Sequence, residues 1–402
     1  MRDVRLLLAG MASIAVFQAL AFEKIALVDA WDYHAVYDVE SEAGLKQVVD
    51  HVLKTGADRV LWRTSSGAVP RYPSKEELSG QPSVVTPVDK RRIPSSRGLS
   101  GWMYLHREAV DHLGTAARFC RERTVAFGLH WSMEENHMSG WTLGAWNLAH
   151  PQFWCRRRDG APWPGRTSEA WRVVEEHRLR LADEMVSYGP DTVLLDFYRS
   201  HGGSPEWDYV KPIEETWRQR HGCEPPDDWQ DPRWSRHVSR YRRMFIKKLR
   251  EHLSGKRLFL AVSRIGAAED YDLVQRGIDW RTLVRDGLVD GLVVLCVVPD
   301  AKDPWSSTRK IYGNLMREVE GRCKVYFPVS AYSHPTRPGI SEYQRMSQLT
   351  KTETVRRLLD LAAEAGGAGI VMECVDHGNY PPEVCETIRR FEVKRTEGGT
   401  KR

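Results

Sequence analysis

The sequence predicts an α/β protein, a closed (β/α)8 barrel of the TIM type built as one domain with long βα loops. Eight apolar runs of strand length lie between residues 24 and 373, and each is followed by helical periodicity. A glycine recurs between the end of a helical stretch and the next strand, as in Gly56-Ala-Asp-Arg-Val, Gly189-Pro-Asp-Thr-Val, Gly287-Leu-Val-Asp-Gly-Leu and Gly366-Gly-Ala-Gly-Ile. Glycine accepts the left-handed conformation past a helix end, and short αβ links are usual in α/β units. The alternative, a doubly wound open sheet, is weakened because no GxGxxG turn follows the first strand.

Met1 to Arg5 is modestly basic, Leu6 to Phe17 is apolar, and Ala19-Leu20-Ala21 supplies small residues at a cleavage position. This pattern predicts a signal peptide over residues 1–21 and an exported chain, periplasmic or extracellular, that starts at Phe22. The barrel is expected over residues 22–394 and a polar tail over residues 395–402. Lys24 to Asp29 reads as the first strand. Ser41 is a cap for the helix in which Leu45, Val48, Val49, Val52 and Leu53 recur at helical spacing, before the strand Ala57 to Arg63. The polar segment Thr64 to Met103 is longer than a scaffold link requires.

Helical spacing returns from Arg107 to Arg123, and strand character from Val125 to Trp131. Pro151 and Asp159-Gly160 mark turns ahead of a helix from Ser168 to Tyr188. The strand that follows ends at Asp196. Helices are expected over Val210 to His221 and Pro232 to Leu253, then a strand from Lys256 to Arg264. The remainder alternates in the same way. A helix over Trp280 to Asp286 leads to the strand Gly291 to Val298, and a helix over Arg309 to Glu320 leads to Lys324 to Ser330. The helix Lys351 to Ala365 precedes the strand Gly369 to Glu373, and the last helix lies near Pro382 to Phe391.

Composition narrows the function class. Of 402 residues, 41% are hydrophobic and 28% charged, which is a globular balance. The net charge of +5 is small for this length, and no basic stripe with nucleic-acid motif spacing occurs, so no nucleic-acid partner is expected. The seven cysteines include no CxxC pair, and no HExxH or closely spaced His/Asp motif appears, so neither a metal nor a cofactor is expected. A metal-dependent hydrolase or deacetylase is kept as an alternative, because His34, His130, His201, His334 and His377 fall near predicted strand ends with Asp32 and Asp376.

Reactive side chains of a (β/α)8 barrel gather where the strands end. Just past those ends lie Trp31 and Asp32, Trp62 and Arg63, His130 and Trp131, Asp196, Tyr198 and Arg199, Arg264, Asp300, Tyr332, and Glu373. Acids mixed with aromatics suit carbohydrate chemistry, in which two carboxyl groups flank the scissile bond and rings stack on sugars. Asp196 is expected as nucleophile or stabilising carboxylate, with Asp300 or Glu373 as proton donor. Glu134 and Glu135 rank behind them. Asp300 also fits an ordinary Pro-Asp turn. Trp31, Trp62, Trp131 and Tyr198 are expected to shape sugar sites, together with Asp32, His130 and Tyr332. Arg63, Arg199 and Arg264 suit capture of a carboxylate or sulfate, although salt bridges within the rim explain the same residues. The non-enzyme alternative is a carbohydrate-binding barrel without a proton donor.

Several segments resemble the bacterial glycosyl hydrolase-like barrels, distant relatives of the α-amylase and α-galactosidase type. They are Leu194-Leu-Asp196-Phe-Tyr-Arg199 with Tyr188-Gly189 before it, His150 to Trp154 through Arg158-Asp159-Gly160, and Gly277 to Trp280 through Asp286 to Asp290. Together with the export signal, the resemblance implies a glycoside hydrolase of oligo- or polysaccharides. It implies Asp196 as nucleophile and, from the α-galactosidase branch, Asp300 as acid/base. The amylase branch places a glutamate at the end of the fifth strand, where this chain has Arg264.

Overall fold

A computed structural model describes residues 22–33, 36–66, 69–77, 110–133, 144–198, 205–267, 270–300, 302–329, 352–373 and 380–393. The export segment expected at 1–21 and the tail at 395–402 lie outside them. Eight parallel strands close into a barrel: β1 (Glu23–Val28), β2 (Arg59–Arg63), β3 (Ala126–Ser132), β4 (Thr192–Asp196), β5 (Arg257–Val262), β6 (Gly291–Val294), β7 (Lys324–Pro328) and β8 (Gly369–Glu373). Each pairs with its sequence neighbour, and β8 returns to β1 in the register Glu23↔Gly369 to Leu27↔Glu373. The expected (β/α)8 barrel is the observed fold.

Side chains alternate across each strand, and the barrel sorts them by parity. Ile25, Leu27, Leu61, Leu194, Phe259, Ala261, Val293, Tyr326 and Val371 meet one another in the lumen. Their neighbours in sequence, such as Ala26, Val60, Leu129, Val193, Leu260 and Ile370, join the larger outer cluster with the helices. The outer layer contains α1 (Glu42–Leu53), α2 (His112–Glu122), α3 (Arg172–Val186), α4 (Lys211–His221), α5 (Pro232–His252), α6 (Tyr271–Arg276), α7 (Trp280–Arg285), α8 (Pro304–Val319), α9 (Thr352–Glu364) and α10 (Pro382–Arg389). In α1 the Ser41 hydroxyl accepts the Gly44 N–H at 3.0 Å, the cap expected from sequence. Leu45, Val48, Val49 and Val52 are fully buried, each contributing about 1.5–3 kcal/mol by leaving water.

Three local features differ from the sequence expectation. An antiparallel hairpin, Trp154–Arg156 with Pro162–Thr167, turns at Gly160, whose φ is 86°. Helix α8 starts at Pro304 rather than Arg309, because Asp303 caps it and proline needs no N–H at the first turn. Strands β5 and β6 stop at Val262 and Val294, short of the Arg264 and Val298 expected. Beyond them the two chains meet once more, at the isolated bridge Ile265↔Val297. Arg264, at φ 49°, breaks the extended backbone between strand and bridge.

Candidate active site

Two residues past the last lumen aliphatic of a strand, the same inward parity carries polar groups to the C-terminal rim. Asp29 follows Leu27, Arg63 follows Leu61, Asp196 follows Leu194, Ser263 follows Ala261, and Glu373 follows Val371. His130 and Ser132 continue the inward set of β3 beyond Gly128. The rim therefore reads, in strand order, Asp29, Arg63, His130, Asp196, Ser263 and, across the barrel, Glu373.

Asp196 is fully buried, and its carboxylate is held from two sides. Oδ2 lies 2.7 Å from His130 Nε2, and Oδ1 accepts the Tyr198 N–H at 2.7 Å. The carbonyl oxygen of Asp196 accepts the Met133 N–H at 2.8 Å, tying the ends of β3 and β4 together. These contacts fix the rotamer of the acid, the preorganisation a reacting carboxylate requires. Glu373 ends β8 and is 9% exposed, and its backbone carbonyl accepts the Tyr380 hydroxyl at 3.5 Å. Two carboxylates thus end strands on opposite sides of the lumen.

Arg63 is buried and ion-paired to Asp29. Its Nε and Nη2 have no hydrogen-bond partner among the described residues. Behind this pair sit Arg71, 3.7 Å from Glu40, and His112, 3.9 Å from Glu40. Burial lowers the Arg71 guanidinium below its ordinary value, against the pull of Asp29 and Glu40. Burial, assisted by Arg71, brings His112 down to about 3, so this imidazole stays neutral at physiological pH.

On the β5 side, Asp272 of α6 is buried and accepts the Ser263 N–H at 3.0 Å and the Ser263 hydroxyl at 3.1 Å. Burial pushes its carboxyl up to about 7. Tyr198 packs against the lumen cluster, and burial raises its phenol to about 12. The Arg276 guanidinium lies 5.6 Å from the centre of its ring.

The structure corrects the expectation for Trp62 and Trp131. Both lie one residue out of phase with the inward set, are buried, and belong to the outer cluster against the helices. Neither ring faces the lumen. Asp300 stands exposed past the end of β6. Its Oδ1 accepts the Lys302 N–H at 2.9 Å, and its own N–H donates to the Ser307 hydroxyl at 2.9 Å. It shapes the turn into α8 and lines a groove between the β5 and β6 ends, outside the ring of inward side chains. Arg264 is exposed in the same groove.

The backbone of Trp31 and Asp32 lies in the short helical turn Ala30–Tyr33. Arg199 and Tyr332 lie outside the described residues, as do Glu134, Glu135, His34, His201, His334, Asp376 and His377. Among the described residues no three His, Cys, Asp or Glu side chains gather to hold a metal ion. Among the described residues, Cys120, Cys223, Cys323 and Cys385 are free thiols. Sequence reasoning passed over Asp29 and Asp272. For Asp29 the signal was present, since it continues the alternation of Ile25 and Leu27. For Asp272, within a six-residue helix, no sequence signal existed.

The closed parallel barrel is shared by solved structures of glycosidases. It superimposes on a β-galactosidase from the psychrophilic Marinomonas ef1 with a TM-score of 0.54 at 10% identity, over 91% of this chain and 58% of that one. An α-galactosidase from Thermus thermophilus matches with a TM-score of 0.46 at 13% identity, over 94% and 64% of the two chains. A spore cortex-lytic enzyme from Bacillus megaterium QM B1551 matches with a TM-score of 0.47 at 10% identity, over 93% and 75%. This chain spans less than two thirds of the length of either galactosidase. At these identities the likeness is one of fold. No family model matches the chain, and no curated protein matches its sequence.

Proposed function

We propose that this protein is an exported glycoside hydrolase of oligo- or polysaccharides, with Asp196 and Glu373 as the acting carboxylates. One observation carries the reading: both acids end barrel strands with inward parity, so they address the same lumen from different sides. Glycoside hydrolysis needs such a pair, one acid to protonate the leaving oxygen and one carboxylate to attack the anomeric carbon or activate water. Asp196, fixed by His130 and the Tyr198 N–H, suits the part of nucleophile or stabilising carboxylate. Glu373 is preferred to Asp300 as proton donor, because Asp300 is exposed and engaged in its own turn. Unsatisfied buried donors cost about 1–3 kcal/mol each. Those of Arg63 would be relieved by a sugar hydroxyl seated at the rim.

The test is release of reducing ends from a panel of oligosaccharides by wild type, Asp196→Asn and Glu373→Gln. Each substitution is expected to lower kcat by about 10²–10⁴-fold, the range for a lost acid or base. Thermal unfolding should still be cooperative. Turnover by Asp196→Asn at the wild-type rate would remove the assignment.

A further inference from the structure

Among the described residues, Arg264 is a cation held in place without a carboxylate partner. It has no ion pair there, although it stands beside the acids that line its groove. Its backbone is left-handed, at φ 49°, which costs a non-glycine residue about 1 kcal/mol or more. A conformation of that kind persists when neighbours impose it. Asp272 does so from one side by gripping both the N–H and the hydroxyl of Ser263, the residue before it. From the other side, the Arg264 guanidinium rests 5.0 Å from the centre of the Tyr271 ring. The Arg276 guanidinium lies 5.6 Å from the centres of both the Tyr271 and Tyr198 rings, and Tyr198 packs against the lumen cluster, which links the Arg264–Tyr271 pair to the lumen.

The groove has a volume of about 640 Å³, room for a sugar residue or two. Its other charges are committed or balanced. Arg281 binds Asp270 at 2.6 Å and Glu318 at 2.7 Å. Asp300 Oδ1 holds its turn, Asp272 faces Ser263, and Lys310 is a second cation without an ion pair among the described residues. With four acids (Asp270, Asp272, Asp300 and Glu318) against three cations (Arg264, Arg281 and Lys310), the groove does not favour a polyanion along its length. It favours a single anionic group seated on one guanidinium.

We propose that Arg264 selects a saccharide bearing one carboxylate or sulfate, with a charge-assisted, forked hydrogen bond to that group where the substrate extends from the lumen into this groove. This rests on the glycoside hydrolase reading above and names its substrate class. Asp272 serves as a positioning residue that holds Ser263 and, through it, Arg264.

The experiment uses matched p-nitrophenyl glycosides, glucuronide against glucoside and galacturonide against galactoside in both anomers, with the 6-sulfates of the neutral pair. Wild type, Arg264→Gln and Arg264→Lys are compared. An anionic member should be cleaved with kcat/KM at least 10-fold above its neutral partner. The Arg264→Gln change should collapse that ratio through KM, and Arg264→Lys should restore part of it. A neutral glycoside cleaved as well as its anionic partner, with a ratio unmoved by Arg264→Gln, overturns the anionic selectivity and leaves the hydrolase reading standing. If no glycoside is cleaved, the hydrolase reading fails, and calorimetric titration with free glucuronate, galacturonate and the sugar 6-sulfates decides the anion site separately. Binding lost at least 10-fold in Arg264→Gln upholds it, and no binding to wild type overturns it.

Discussion

Burial pushes the Asp272 carboxyl up to about 7, opposed by its hydrogen bonds from the Ser263 N–H and hydroxyl and by Arg276, with nearby Asp270 adding to the rise. In the unfolded chain the same carboxyl titrates near 3.8. Between those values the folded state binds more protons than the unfolded state, so stability falls as pH rises from about 4 to about 7 and then levels off. The favourable contribution is complete only below the unfolded value. Asp272→Asn removes this titration while keeping an acceptor for Ser263. It is expected to flatten the pH dependence and to exceed wild type in stability at pH 8, as read from urea unfolding at pH 5 and pH 8. A wild-type protein whose unfolding free energy is unchanged between those pH values would contradict it. At this scale the sequence showed Asp196, Arg63 and Glu373, because each ends an apolar run. It could not separate Trp62 from Arg63, since strand-end neighbours differ only in which side of the sheet they face.

Strand β3 shows how tightly the elements constrain one another. A Cβ placed on Gly128 would lie 2.5 Å from Leu61 Cδ2 and 2.8 Å from the Thr192 carbonyl oxygen, inside the lumen between β2 and β4. The backbone atom cannot yield, so Gly128→Ala is expected to destabilise by about 1–3 kcal/mol, the usual cost of overpacking. Because His130 is two residues further along the same face, this variant should also disturb the His130–Asp196 contact. Denaturant unfolding with a wild-type midpoint would show that the lumen has slack. Helical periodicity made the outer layer legible, and α5 was read almost to the residue. The start of α8 and all of α6 were missed, because caps and short helices carry too few apolar positions to show a period. The ends of β5 and β6 were misplaced for a related reason: apolar runs continue after the hydrogen-bonded ladder has parted.

Across the whole molecule, the barrel is closed at its N-terminal end by a second polar set. Arg59 is buried and binds Glu23 at 2.8 Å, the Thr192 hydroxyl at 3.0 Å and Asp191, while the Tyr326 hydroxyl donates to Glu23 at 2.6 Å. This links β1, β2, β4 and β7 across the lumen. Conserving charge balance here is a matter of stability, since reactive groups of such barrels belong to the opposite end. Arg59→Ala leaves Glu23 without its buried partner and is expected to cost about 3–5 kcal/mol. The measurement is the loss in unfolding free energy. A loss below about 1 kcal/mol would show that the plug is ornamental. No helix among the described residues is long and apolar enough to cross a membrane.

The order of strands and helices, and hence the barrel, was written in local patterns that a single chain can carry: apolar runs of strand length, helical spacing and glycines at helix ends. Which acids share a space was not, because that depends on strand parity, register and the point at which two chains separate. Closure turned Asp196, His130, Arg63 and Glu373 toward one lumen and sent Trp62 and Trp131 to the helices. It also brought Asp272, from a segment with no signal of its own, against Ser263 and fixed Arg264 at the rim. Proximity of that kind comes from long-range packing, and no local sequence pattern records it.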